Sequence, residues 1–512
     1  MNKRTFVKNT AVMTACSLLL RLCGILFRIF ISNRVGAEGM GLYQLAFSVY
    51  ILGATFATSG LTTAVTRLAA GALARHDRPS VGRLLRLSAL CCLLVGGASA
   101  LLLYGGAPII GRLIGDSRAV PAIAVSGIAL PFIGVSSCLK GYFMARRRAW
   151  PPCLSQIIEQ AIRIGGILLM LRTLWDGSLE NACLLIILGD ALSETVACLY
   201  LLFAYRLDVR REKALPAGHP HATLTTGLLR PLLHIAVPIT AGRYLSTALR
   251  TVENFLVPAR LTLFTGSDSL SLAQFGAVKG MALPLIFFPS ALLMTLSNLL
   301  IPELSDAYEL GQQRQVSRLV ERSLHITLLG ATAIGGLFTI SGKILGQTLY
   351  NDSLVGLLLQ ILGPLTPVMY LDSVVSGMLK GLGQQVHSLW YSVADSAVRI
   401  LLIWLLLPRF GLTGFLFVML VSNLLTCLLS THRLLTVSHT PFRWGKWLIG
   451  PVLCTVIAGS GQVLITHWLP LSGELWTLLV GGSSFLILYG ILLPIFRCFA
   501  KQDFQEIIAK KA

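Results

Sequence analysis

Long stretches without Asp, Glu, Lys or Arg set the strongest limit on what this chain can fold into; they include 87–111, 280–302 and 410–432. A helix of roughly 20 apolar residues crosses the ~30 Å hydrocarbon core of a membrane. Only 12% of the 512 residues are charged, whereas a soluble domain carries about 25%. Because lipid offers the backbone no hydrogen-bond partner, we expect an all-α membrane protein.

Segments long enough to cross the membrane recur along the whole chain, and we count about 14 of them. Lys and Arg concentrate in alternate loops when the N-terminus is placed inside, as the positive-inside rule requires. This alternation favours an even number of spans with both termini cytoplasmic. The predicted spans are 10–32, 41–65, 87–108, 119–139, 150–171, 181–205, 231–256, 275–300, 323–342, 354–378, 388–407, 412–431, 447–468 and 475–496.

A duplication runs through the chain. The tripeptide Leu-Lys-Gly at 139–141 recurs at 379–381, which is 240 positions later. Glu159 recurs as Asp395, 236 positions later, and each acid is followed four residues on by an arginine. A repeat of about half the chain length in an apolar protein is typical of transporters.

The repeat predicts the domain organisation. We expect an N-terminal six-helix lobe at 1–206, a cytoplasmic linker at 207–229 and a C-terminal six-helix lobe at 230–435. The last two helices and a cytoplasmic tail, at 436–512, lie outside the duplication.

Charged residues within the predicted spans are candidates for a substrate site, since a charge at mid-bilayer costs about 2.5–3.5 kcal/mol unless it meets a partner or water. Arg21 and Arg28 lie seven residues apart in span one and therefore share a helix face. Span seven repeats this spacing with Arg243 and Arg250, and Glu253 follows one turn beyond.

Three further residues join these candidates. Gln44 belongs to an unusually polar span two, Arg67 follows the end of that span, and Lys279 begins span eight. We interpret the set as the lining of a cationic, water-filled cavity between the lobes that binds an anionic head group through bidentate arginine contacts. The alternative is that some of these side chains reach the nearer membrane surface or form ion pairs between helices.

Two acid–arginine pairs have a different interpretation. Glu159 with Arg163, and Asp395 with Arg399, are spaced four apart with the acid first, the favoured order on a helix. Each pair can neutralise itself within one span. A structural role is favoured, and a gating or proton-coupled role is the alternative.

Several classes of function are excluded by what the sequence lacks. The net charge of +20 lies mostly in short loops, which indicates membrane orientation and not nucleic-acid binding. The 11 cysteines show no metal-binding or disulfide spacing. We find no phosphate-binding loop and no catalytic motif, so we expect neither an enzyme nor a bound metal or cofactor.

Three segments carry a resemblance to a known family: NTAVMTACSLLLRLCGILFRIFISNRVGAEGMGLYQLAFSVY, LKGYFMARRR and SQIIEQAIRI. They resemble the stage V sporulation protein B and polysaccharide-biosynthesis flippases, within the superfamily that includes the MurJ lipid II flippases and the MATE exporters. The resemblance implies two six-helix lobes related by pseudo-twofold symmetry, with two extra helices as in MurJ-like members. It also implies that Arg21, Arg28, Arg67 and Lys279 line the cavity. MATE cavities tend to use acidic groups, whereas span one here offers arginines.

Together these observations favour a flippase that moves an undecaprenyl-pyrophosphate-linked saccharide, such as lipid II or a related precursor, across the bacterial cytoplasmic membrane by alternating access. A cation-coupled, MATE-like multidrug exporter is the alternative. A membrane-embedded glycosyl- or acyltransferase using Asp372 or Glu303 would leave the duplication unexplained. Expected partners are the lipid-linked substrate and membrane lipids, with cell-wall synthesis enzymes as candidates; we expect a monomer and no nucleic acid.

Overall fold

The fold was examined in a computed structural model that describes residues 3–58, 60–75, 77–213, 229–442, 445–469, 473–496 and 498. Within these ranges the chain forms sixteen α-helices and no strand. This confirms the all-helical prediction, and it follows from the absence of backbone hydrogen-bond partners in lipid.

Most of the helices follow one another with short connections; residues 214–228, between α7 and α8, are not described. Two π-helical turns, Gly276–Ala282 and Gly445–Ile449, precede α10 and α15. The helices are α1 (Lys3–Thr58), α2 (Leu61–Ala74), α3 (Arg78–Ile114), α4 (Val120–Ser126), α5 (Ala129–Ala145), α6 (Trp150–Thr173), α7 (Leu179–Lys213), α8 (Leu229–Thr265), α9 (Asp268–Phe275), α10 (Leu283–Glu309), α11 (Gln313–Tyr350), α12 (Ser353–Leu362), α13 (Thr366–Gly381), α14 (Gln385–Ser438), α15 (Gly450–Trp468) and α16 (Glu474–Ile495).

Ten helical segments among the described residues are long and apolar enough to cross a membrane, or eleven if the bent pair α4 and α5 counts as one span. The two longest helices, α1 and α14, are each interrupted by a glycine. Gly36 has φ 70° and Gly411 has φ 54°, a region that L-residues rarely adopt. Each of these helices therefore supplies two spans, which raises the count to thirteen among the described residues. Helix α8, with 37 residues, is also long enough to cross the membrane, although its arginines lower its hydropathy, and it brings the count to the predicted fourteen.

The described chain packs as two compact units, one comprising Met1–Ile31 and Val35–Gly276 and the other Ser32–Arg34 and Ala277–Ala512. The first unit has a core built by α2, α3, α5 and α7, with buried side chains that include Ala64, Leu84 and Leu201. Small residues such as alanine at these contacts let helix backbones approach closely, as is common between membrane helices.

The second unit has a comparable core formed by α10, α11 and α13, where Val320, Leu324 and Val375 are fully buried. Helices α15 and α16 pack against α11 in this unit. The Tyr489 hydroxyl lies 2.9 Å from that of Thr332 and also donates to a carbonyl of α11. These hydrogen bonds attach α16 to α11.

The duplicated Leu-Lys-Gly tripeptide makes the same kind of contact in both units. A Cβ added to Gly141 would lie 2.9 Å from the carbonyl oxygen of Thr62 in α2. One added to Gly381 would lie 3.2 Å from Cγ2 and 3.4 Å from the carbonyl oxygen of Ile301 in α10. In each unit the glycine therefore allows close packing of two helices.

Parts of the predicted domain organisation fall outside the described residues. The linker prediction concerns 207–229, of which 207–213 continue α7 and 214–228 are not described. The predicted cytoplasmic tail and the extreme N-terminus are likewise not described. The lobe boundaries and the inside position of the termini stay predictions.

Replacing Gly141 by alanine should lower stability, because the added methyl group would overlap the backbone of α2. Overpacking of this kind costs about 1–3 kcal/mol. We expect a lower midpoint of thermal unfolding for purified Gly141→Ala protein in detergent. The matched control is Gly71→Ala, where a Cβ meets open space and alanine is the better helix former. Equal midpoints for the two variants would contradict the close-contact interpretation.

Candidate functional site

A polar cavity of about 420 Å³ lies inside the first unit, between the two halves of α1 and helices α6 and α7. Its size falls in the range of roughly 300–1,000 Å³ found for small-molecule sites. Aromatic and aliphatic side chains, among them Phe27, Phe47 and Tyr50, form much of the wall. The polar and charged lining consists of Arg28, Tyr43, Gln160, Arg163, Asp190 and Glu194.

Arg163 is held in the cavity wall by two carboxylates. Its Nη2 lies 2.8 Å from Oε1 of Glu159 on the same helix, and its Nε lies 2.8 Å from Oδ1 of Asp190 on α7. The Tyr43 hydroxyl donates to Oδ2 of Asp190 over 3.3 Å. The contact with Asp190 is thus an ion pair that joins α6 to α7, and Tyr43 adds the second half of α1 to the same network.

A second cavity of about 370 Å³ adjoins the first, and Gln160 and Glu194 contribute to the walls of both. It is lined by Arg21, Lys140 and Glu159. The Lys140 ammonium lies 3.9 Å from Oε2 of Glu159, so this carboxylate faces two cations. The two cavities therefore form one polar region that runs along α6.

Arg28 differs from Arg163 in making no close polar contact, although it lies near enough to Asp190 and Tyr43 to interact with them electrostatically. Its side chain is half-buried in the cavity wall, yet it forms no hydrogen bond or ion pair with a described residue. A partly buried guanidinium is costly unless its charge is compensated. Arg28 can therefore offer its donors to an anion that enters the cavity, in the bidentate geometry typical of arginine with phosphate.

Of the residues singled out from the sequence, four line the two cavities: Arg21, Arg28, Glu159 and Arg163. The remaining candidates in the predicted set do not line either cavity. Three of them are arginines with exposed side chains on α2 and α8, namely Arg67, Arg243 and Arg250.

The other three candidates are less exposed. Glu253 is only 2% exposed on α8, and its neighbour Asn254 donates to the hydroxyl of Ser48 in α1. Gln44 and Lys279 are half-buried, and Lys279 lies in the π-helical turn before α10. A substrate contact for these residues stays a prediction.

The second acid–arginine pair forms a closed group in α14. Arg399 Nη2 lies 2.8 Å from Oδ2 of Asp395, and its Nε donates to the hydroxyl of Ser422 over 2.9 Å. Ser422 in turn donates to Asp395. Because these groups satisfy one another, the arrangement favours the structural interpretation of the pair.

Asp190 and Glu194 are cavity residues that the sequence reasoning missed. They lie four residues apart within the predicted span 181–205, and so they share one helix face. Two carboxylates inside an apolar span are themselves a signal, because intramembrane acids are costly and usually functional. Tyr43 and Gln160 offered no comparable signal.

Comparison with known proteins identifies the family. The model of the family described as "Polysaccharide biosynthesis protein" matches residues 6–308, more than half of the chain. The chain belongs to the polysaccharide biosynthesis protein family. The recognition of this family from the sequence is thereby confirmed.

Two proteins from Bacillus subtilis (strain 168) are similar to this chain over most of its length. Stage V sporulation protein B is 24% identical over 521 aligned residues, which cover 99% of this chain and 98% of that protein. Lipid II flippase MurJ is 21% identical over 424 residues, covering 77% of this chain and 76% of the relative. The second relative is named as a flippase, in agreement with the expectation that the chain is a transporter and not an enzyme.

A solved structure supports the fold. The inward closed conformation of lipid II flippase MurJ is similar with a TM-score of 0.71 at 13% identity, and the match covers 95% of this chain and 98% of that one. The polysaccharide biosynthesis family member described here is thus a multi-pass membrane protein of bacterial type with a MurJ-like transporter fold.

The paired charges in the cavity wall predict a specific pattern of stability. Replacing Arg163 by glutamine should destabilise the protein by about 1–3 kcal/mol, because Glu159 and Asp190 lose the cation between them. Adding Asp190→Asn should restore part of the loss, since it removes one of the unpaired charges. Thermal unfolding in detergent would measure both effects.

The control for this series is Arg172→Gln, which removes an exposed arginine from the same helix. It should leave the unfolding midpoint close to that of the unaltered protein. The series also includes Asp190→Asn alone. If the losses of stability in Arg163→Gln and Asp190→Asn simply add in the double variant, the two residues are not energetically coupled and the ion pair contributes nothing.

Proposed function

We propose that this protein is a flippase for an undecaprenyl-pyrophosphate-linked saccharide, lipid II or a related cell-wall or polysaccharide precursor. The observation that carries the proposal is Arg28, whose half-buried guanidinium lies in the wall of a cavity and forms no hydrogen bond or ion pair with a described side chain. Kinship to proteins named as a sporulation protein and a lipid II flippase supports a lipid-linked cargo.

The chemistry of the cavity suits such a head group. Pyrophosphate oxygens are strong acceptors, and a guanidinium binds two of them at once. Gln160 and Tyr43 supply polar groups to the cavity wall that a saccharide can hydrogen-bond, while Phe47 and Tyr50 supply ring surfaces. The prenyl tail would remain in lipid, so only the head group needs a polar path across the membrane.

Alternating access would move the head group between leaflets. Transporters built from repeats typically change access by movement of one repeat against the other around the bound substrate. An anionic head group also responds to the membrane potential, which is worth about 2.3 kcal/mol per charge for 100 mV. The potential is therefore a candidate energy source for the cycle.

A second function is favoured by one specific observation. Glu159, Asp190 and Glu194 place three carboxylates in the walls of the two cavities. Acidic groups are the feature that the resemblance to MATE exporters associates with cation coupling. A cation-coupled exporter of small amphipathic molecules is therefore the second candidate.

Arg28→Gln should reduce transport by more than about tenfold, because hydrogen bonds to charged groups contribute roughly 1.5–3 kcal/mol each. The measurement is exposure of lipid II on the outer leaflet, in cells depleted of their own flippase and expressing this protein. Arg28→Lys keeps the charge but loses the bidentate geometry, so an intermediate rate is expected.

Arg172→Gln serves as the control for expression and charge, since this arginine is exposed and lines neither cavity. Full transport by Arg28→Gln would refute the assignment of Arg28 as a phosphate contact. Failure of the unaltered protein to expose lipid II, combined with efflux of cationic dyes that requires Na⁺ or a proton gradient, would establish the exporter in its place.

A further inference from the structure

A groove outside the polar cavity runs between α3, α5 and α7 in the first unit. Its volume is about 380 Å³. The walls are mainly apolar, and Leu85, Ala89, Val135, Leu139 and Leu202 contribute to them. Three arginines complete the lining: Arg86, Arg206 and Arg210. The groove thus combines an apolar interior with a cationic edge.

The arginines lie at the ends of uncharged stretches, where the sequence predicts the boundary of the hydrocarbon layer. Arg86 is the last charged residue before the uncharged stretch 87–111, and Arg206 is the first after the uncharged stretch 195–205. Arg210 lies within about one turn of the end of α7. The groove therefore extends from the level of the lipid head groups into the apolar layer, at the end of the helices that the positive-inside rule predicts to be cytoplasmic.

Two neighbouring arginines, unlike those of the groove, are paired with a carboxylate. Arg146 and Arg148 both form ion pairs with Asp208, which is buried and also accepts a hydrogen bond from the Tyr142 hydroxyl. Asp208 points away from the groove arginines, since positions 206 and 210 share one helix face and position 208 lies on the opposite side. The local acid is therefore already occupied.

The three groove arginines have no such partner. Among the described side chains, no carboxylate forms an ion pair with Arg86, Arg206 or Arg210. Arg206 and Arg210 are also like charges four residues apart on one helix, a spacing that is unfavourable by itself. An anion bound between these guanidinium groups would relieve the repulsion.

We propose that this groove binds one anionic phospholipid of the surrounding membrane, with its phosphate against the three arginines and an acyl chain along the apolar wall. The position at the boundary of the hydrocarbon layer selects a lipid over a soluble anion or a protein segment. Basic pockets between membrane helices bind anionic head groups in this way. The site is separate from the polar cavity and does not depend on the proposed transport function.

The test uses the full-length protein in nanodiscs that contain equal amounts of phosphatidylglycerol and phosphatidylcholine. After transfer to mild detergent, native mass spectrometry counts the lipids that remain bound. The unaltered protein should retain one phosphatidylglycerol in preference to phosphatidylcholine. In Arg86→Gln/Arg206→Gln/Arg210→Gln this preference should fall on the order of a hundredfold, since each basic residue near a membrane surface contributes a factor of about five.

The matched control is Arg75→Gln/Arg314→Gln/Arg318→Gln, which removes three exposed arginines from predicted inside segments but leaves the groove unchanged. It should retain phosphatidylglycerol. A second variant, Ala89→Phe, narrows the apolar part and should reduce retention with all three groove arginines present. Thermal unfolding confirms that each variant is folded.

Three outcomes would overturn the proposal. The first is unchanged phosphatidylglycerol preference in the groove variant. The second is loss of bound phosphatidylglycerol on addition of glycerol 3-phosphate, which would show that the acyl chain contributes nothing. The third is replacement of phosphatidylglycerol by undecaprenyl phosphate at equal concentration, abolished in the groove variant, which would assign the groove to the transported class of lipid.

Discussion

Neutralisation of charge inside an apolar helix bundle is the constraint on which the first unit depends. Arg163 can remain in its span because Glu159 and Asp190 surround its guanidinium at 2.8 Å. The same contacts fix α6 against α7, and the Tyr43 hydroxyl connects the second half of α1 to them. Desolvation makes each of these charges costly alone, so the network holds together as one unit or is lost as one.

The two repeats contain equivalent acid–arginine pairs, but the surroundings of the two pairs differ. In the first unit the pair lies in the wall of open polar space, and Glu159 also faces Lys140. In the second unit Ser422 closes the group around Asp395 and Arg399. The pair therefore occupies the same helix position in both repeats. The polar residues around it differ, and they determine whether the pair faces a cavity.

Much of the fold could be predicted from the sequence, because the charge-free stretches and the repeat are long-range patterns that lipid makes decisive. The site was less accessible to such reasoning. Arg28 was found because an arginine in an apolar span is conspicuous, whereas Asp190 and Glu194 were overlooked although the same argument applied to them. Tyr43 and Gln160 could not be found, since only packing shows which polar residue of a helix faces a cavity.

The groove arginines illustrate a related limit. Arg86, Arg206 and Arg210 belong to the basic segments that the sequence explains by membrane orientation alone. Their common position, and the fact that Asp208 is engaged by Arg146 and Arg148, emerge only when α3, α5 and α7 are packed together. The sequence shows that these segments are positively charged. Only the tertiary structure shows whether a given arginine has a carboxylate partner.

The glycine of the duplicated Leu-Lys-Gly tripeptide has a consequence for how such a protein can evolve. Its role is steric and is the same at Gly141 and Gly381, so each copy keeps its helix spacing whatever polar residues surround it. The preceding lysine is already used differently, since Lys140 faces Glu159 whereas Lys380 is exposed. A close helix contact that favours glycine thereby leaves the neighbouring positions free to diverge, and one copy can acquire new cargo chemistry while the other preserves the helix packing.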